Sequence, residues 1–144
     1  MPSQLYMMDG EQFVGGFGSG FLARGFIAGY GVYATNLRLF GLRDPTPVSG
    51  GHLAGLVDGE LMPKLSPEEN VKVIEVLDAK KEFDFGKDQI SRIELKRPGL
   101  LGTGHMAIVP KNGGELKVSI RHRIGFERLR DVMQVFYPEA LSLK

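Results

Sequence analysis

The spacing of apolar residues divides the chain into strand-like and helix-like stretches. Alternation with a period of two predicts strands at Tyr30–Ala34 and Leu37–Leu42. In the second, Leu37 and Leu39 share one face while Arg38 and Phe40 share the other. Thr35-Asn36 between them predicts a two-residue hairpin turn. Ile93 and Leu95 alternate with Arg92, Glu94 and Lys96, as expected of a half-buried strand. Met106–Val109 and Glu115–Arg121 flank Asn112-Gly113-Gly114 and predict a second hairpin. There Leu116, Val118 and Ile120 face one way, and His122 continues their row. An earlier strand, Phe21–Ile27, is expected to bend at Gly25, after a turn-rich element at 13–20 and a lead-in at 1–12.

Two stretches carry the helical period instead. Ser66 is a natural N-cap, Pro67 suits the first helical position, and Glu69 completes a capping box. Val73, Ile74 and Leu77 then line one face, with Val76 at its margin. Near the C-terminus Phe126, Leu129, Val132, Met133 and Phe136 form a wide apolar stripe over a helix from about Phe126 to Tyr137. Pro138 stops it, because proline has no N–H and disfavours helical geometry just before itself. Asp44–Pro63 has little periodicity and seven Gly or Pro residues, which predicts a long loop. These elements make an α+β domain: a strongly bent antiparallel sheet closed at its end by the last helix.

Residues 30–40 are apolar on both strand faces. One face fills the core and the other needs a cover. A protein partner or a second copy of the chain, docked along a strand edge or on the long loop, is the expected cover.

With 144 residues the chain fits one domain, 1–144, large enough to be stable without staples. It has no cysteine, which removes disulfides, thiolate catalysis and Cys-based metal sites. The net charge of +1 is too balanced for a nucleic-acid field over the whole molecule. No basic leader or long apolar run stands at the start, so the expected compartment is the cytoplasm. Twenty glycines, about twice the ~7% average, concentrate in the turn-rich regions and are absent from the two predicted helices.

The search for chemistry returns little. The run Gly15–Gly20 lacks the lysine and spacing of a phosphate loop and is read instead as a bent strand. His52, His105 and His122 have no partner at metal-ligand spacing, and no serine sits in a nucleophile motif. No enzyme, cofactor or metal is expected. The one cluster of interest is cationic. Lys96 and Arg97 stand beside the Gly102-Thr103-Gly104 turn, and Arg121 and Arg123 end the last strand, with Arg128 and Arg130 beyond. Lys96, Arg97, Thr103, Arg121 and Arg123 are therefore the candidate residues for binding an anion or an acidic partner, an anionic lipid included.

Two short segments carry a family resemblance. Gly31-Val32-Tyr33-Ala34-Thr35-Asn36-Leu37-Arg38-Leu39-Phe40 and Ile90-Ser91-Arg92-Ile93-Glu94-Leu95-Lys96-Arg97-Pro98-Gly99 are similar to two hairpin-associated motifs of the pleckstrin-homology-like superfamily, in its bacterial and archaeal branch and the related GRAM domains. The resemblance covers about two-thirds of the chain. It implies a bent sheet or partly open barrel of about seven strands capped by one C-terminal helix. The chain departs from that pattern at about 44–83, where a loop and an extra helix are inserted. The superfamily supports peptide, lipid and self-assembly roles on one scaffold, so the resemblance fixes no ligand.

Overall fold

A computed structural model describes residues 10–45, 61–100 and 102–144. Strands β1 (Phe13–Arg24), β2 (Ile27–Thr35) and β3 (Arg38–Leu42) lead into helix α1 (Pro67–Lys80). Strand β4 (Phe83–Gly86) follows, and a single 3-10 turn, Lys87–Gln89, joins it to β5 (Ile90–Lys96). Then come β6 (Gly104–Pro110), β7 (Leu116–Ile120), helix α2 (Arg123–Phe136) and a short C-terminal strand β8 (Leu141–Leu143). All eight strands form one sheet in the order β4-β3-β2-β1-β7-β6-β5-β8. Every pairing is antiparallel except β5 with β8, which makes the sheet mixed.

Connectivity forces this sheet to curve. Three residues link β4 to β5, a span of at most about 14 Å. In a flat sheet the six inter-strand steps between them would cover about 29 Å. The sheet therefore bends hard, yet β4 and β8 remain its unpaired ends among the described residues.

The concave side holds the main core. Tyr30, Val32 and Ala34 of β2, Leu39 of β3, and Ile93, Met106, Val118 and Ile120 meet Phe126, Leu129, Met133 and Phe136 of α2. Each of the Val, Leu, Ile, Met and Phe side chains in this set contributes about 1.5–3 kcal/mol when fully buried. The helix begins three residues earlier than its apolar stripe predicts. His122 is the N-cap, and Gly125 falls in the first turn. An added Cβ at Gly125 would lie 3.3 Å from both Leu22 and Ile120, so glycine allows α2 to approach the sheet closely.

The outer face of β1–β3 is covered by α1. Phe13, Tyr33, Phe40 and Leu42 pack with Val73 and Leu77 in a second core. The capping box at Ser66 and Glu69 is formed as the sequence predicts. This helix is the cover that the two-sided apolar pattern of residues 30–40 called for, and it is supplied by the chain itself.

Other boundaries differ from expectation. Gly15–Gly20 forms the bent strand expected of that run and not a separate turn-rich element: it is part of the long strand β1, which bends through register shifts between Phe13 and Gly15 and between Ser19 and Ala23. Gly25 does not bend a strand; it takes a left-handed φ of 63° in the β1–β2 turn. Strands β4 and β8 were not expected, because four and three residues are too few to show a period. Strand β4 is fixed by its partner: the Phe83 ring lies over Gly41, the residue directly opposite. The predicted loop 44–63 lies outside the described residues over 46–60.

Candidate functional site

Charged side chains gather in three places. The first is a closed hub under α1. Arg38 projects from β3 with its side chain 8% exposed. It donates five hydrogen bonds: two to Glu11 (2.9 and 3.0 Å), two to Asp78 of α1 (2.8 and 3.1 Å) and one to Asp84 of β4 (3.1 Å). That exhausts the donors of a guanidinium. Its Cζ also lies 4.7 Å from the centre of the Phe40 ring. Lys81 bridges Asp78 and Asp84 at 3.1 and 3.2 Å. Burial alone would lower the Arg38 pKa, but the bonds to Glu11 and Asp78 outweigh it and hold the group more basic than usual. Burial likewise opposes ionisation of Asp78, and Arg38 and Lys81 overcome it to keep that carboxyl below its ordinary value.

The β2–β3 hairpin completes the hub; its two turn residues are Asn36-Leu37, one position later than predicted, because Thr35 pairs as the last residue of β2. The Thr35 hydroxyl donates to Glu11 (2.6 Å) and accepts from the Arg38 N–H (2.9 Å). Asn36 holds Gln12 and Gly10, and Asn70 of α1 holds Phe13 and Glu11. Every bond here is internal, so the hub fastens residues 10–13, α1, β3 and β4 together.

The second group centres on Glu82, which accepts from Arg24 (2.5 Å), from the Tyr30 hydroxyl (2.7 Å) and from Arg43. Burial opposes its ionisation, but these donors lower its pKa. Burial and the neighbouring Glu82 raise that of Tyr30. This group too is satisfied within the chain.

The third group holds the residues that the sequence singled out. The register sets Lys96 opposite His105, and Gly104 opposite Ile120, which is itself opposite Leu22. The end of β5, the start of β6 and the end of β7 therefore lie along one rim of the sheet. Lys96, Arg97, Thr103, Arg121 and Arg123 all sit on that rim or in its connections, and all are exposed. Arg97 lies over the Phe126 ring at 5.2 Å, and Arg123 is 3.6 Å from Glu127. Lys96, Arg97 and Arg121 make no ion pair among the described residues, unlike Arg130, which bonds Asp131. The turn between β5 and β6 closes on itself through the Gly99 N–H donating to Gly102 O at 3.1 Å.

Three rim residues were not singled out from sequence. Leu100, at the tip of the β5–β6 connection, is fully exposed, and Phe21 of β1 is 45% exposed. His122 does not continue the core row. It is exposed, caps α2 and stacks on Phe21. A leucine inside Pro98-Gly99-Leu100 was the available signal, since a turn that carries an apolar side chain has nowhere to bury it.

The remaining features add no chemistry. A cleft of about 390 Å³ at the opposite end is lined by Phe85, Asp88, Gln89, Pro110, Lys111 and Asn112. Its Gln89 is spent on the backbone, accepting from Gly86 N–H at 2.8 Å. Among the described residues no three His, Cys, Asp or Glu side chains are placed to hold a metal ion. None of the described helices is long and apolar enough to cross a membrane. His52 lies outside the described residues. No family model, no curated protein and no solved structure matches this chain.

Proposed function

We propose that this chain is a non-catalytic binding module that sets its basic rim against an anionic phospholipid surface. The observation that carries this reading is the convergence of Lys96 at the end of β5, Arg97 just after it, Arg121 after β7 and Arg123 at the start of α2 onto one rim beside the exposed Leu100 and Phe21. Cations attract the anionic headgroups, and apolar side chains between them can enter the headgroup boundary. The overall charge of +1 does not oppose this, because the field that acts at a surface is local within a Debye length of about 8–10 Å.

The scaffold in this reading is pleckstrin-homology-like. In its favour, four meandering strands and then three are followed by a helix on the concave face. The inserted α1 and the added β8 are the departures. A protein partner or self-association draws less support than before. The outer apolar face of β2 and β3 already has its cover in α1.

Co-sedimentation with vesicles tests the reading. Retention is expected on phosphatidylcholine vesicles containing phosphatidylserine, to fall as salt rises, and to be absent on phosphatidylcholine alone. Each rim cation removed is expected to weaken binding about fivefold. No retention on the acidic vesicles at low salt would end this reading.

A further inference from the structure

His122 occupies a joint in the rim. Its Nδ1 accepts the Ile124 N–H of α2 at 3.1 Å. Its ring stacks on Phe21 of β1, centroids 4.6 Å apart and planes inclined by 23°. Arg121 and Arg123 flank it along the chain. A neutral imidazole has one acceptor nitrogen and a protonated one has none. The capping bond therefore requires Nδ1 bare and the proton on Nε2. Protonation turns that acceptor into a donor facing a donor, and places a cation at the positive end of a helix. The capping bond is lost, and repulsion from the Ile124 N–H pushes the ring away from the position in which it stacks on Phe21.

We propose that His122 makes the rim pH-sensitive: its protonation opens the α2 cap, adds a positive charge between Arg121 and Arg123, and frees Phe21 to enter the bilayer. This rests on the reading of the rim as an anionic-lipid surface. The charged groups nearest His122 along the chain are Arg121 after β7 and Arg123 and Glu127 on α2, while Lys96 at the end of β5 and Arg97 just after it lie on the same rim. Beside it β1 presents the uncharged Phe21. The one carboxylate in this set is the partner of Arg123. An anionic bilayer stabilises the charged imidazole through its surface potential, so protonation and binding promote each other by linkage.

The test compares the wild-type chain with His122→Asn, since asparagine caps a helix without titrating. Affinity for phosphatidylcholine–phosphatidylserine vesicles is measured at pH 7.5 and 5.5. The wild type is expected to bind about fivefold more tightly at the lower pH, the effect of one added surface cation. His122→Asn is expected to lose that gain. His52 and His105 are present in both proteins, so the difference isolates His122. Without lipid, the Ile124 amide resonance is expected to move between pH 7.5 and 5.5 and to stay still in the variant. Binding with an equal pH gain in both proteins, or with none in either, overturns the switch and leaves the rim reading intact. No binding at either pH overturns the rim reading and the switch with it.

Discussion

Two arginine-rich regions of this molecule use the same side chain in opposite ways. At the hub, Arg38 spends all five donors on Glu11, Asp78 and Asp84 and is closed under α1. At the rim, Arg97 and Arg121 face solvent without a carboxylate partner among the described residues. A guanidinium whose bonds are all internal can hold elements together but has nothing left to offer a ligand. One left unpaired at the surface stabilises the fold little and keeps its field for a partner. The difference lies in neighbours, not in residue type.

The strongest way to break this comparison is Arg38→Ala. It would take from the buried carboxylates of Glu11 and Asp78 the cation they share, leaving Asp78 only Lys81, at an expected cost of about 3–5 kcal/mol in urea unfolding. A loss under about 1 kcal/mol would mean that the hub is no more structural than the rim. Next comes Leu77→Ala, which opens a void between α1 and the outer sheet face. The expected loss is about 3 kcal/mol, with the fold retained.

Acid sharpens the contrast. The hub carboxyl of Asp78 and the neighbouring Glu82 are both held below their ordinary values of 3.8 and 4.5. Their contribution is complete above those values and disappears as pH falls through the lower folded ones. Urea midpoints should therefore be level through neutral pH and drop below about pH 4. A smaller decline should begin under pH 6.5, because burial, Lys117 and Lys96 push His105 down and the unfolded chain takes up its proton first. Midpoints that stay level to pH 3 would contradict the hub. The smallest effect on stability is expected at the rim: Arg121→Ala should change it by less than about 0.5 kcal/mol. The same substitution should still weaken binding to acidic vesicles about fivefold.

Much of the secondary structure was legible because local chemistry wrote it. The capping box at Ser66, the β2–β3 hairpin (its turn falling at Asn36-Leu37, one residue later than predicted), the hairpin around Gly113 and the stripe of α2 all depend on residues close in sequence. What was not legible depended on partners far along the chain. Strand β4 exists because Phe83 lies over Gly41. Gly125 sits in a helix because Leu22 and Ile120 crowd it. The five rim candidates were named from sequence, four by their charge and Thr103 by its place in a Gly-Thr-Gly turn. Leu100, Phe21 and His122 joined them only when exposure and register were known.

The sequence by itself determined an α+β chain with two amphipathic helices and a sheet pleated by alternation, since those follow from periodicities of 3.6 and 2. It also placed an arginine in an apolar strand, at Arg38, without saying what would neutralise it. The tertiary structure decided that α1 covers the second apolar face, that Arg38 closes on Glu11, Asp78 and Asp84, and that Lys96, Arg97 and Arg121 share a rim. Those outcomes turn on contacts between residues tens of positions apart. Only the path of the folded backbone brings such residues together.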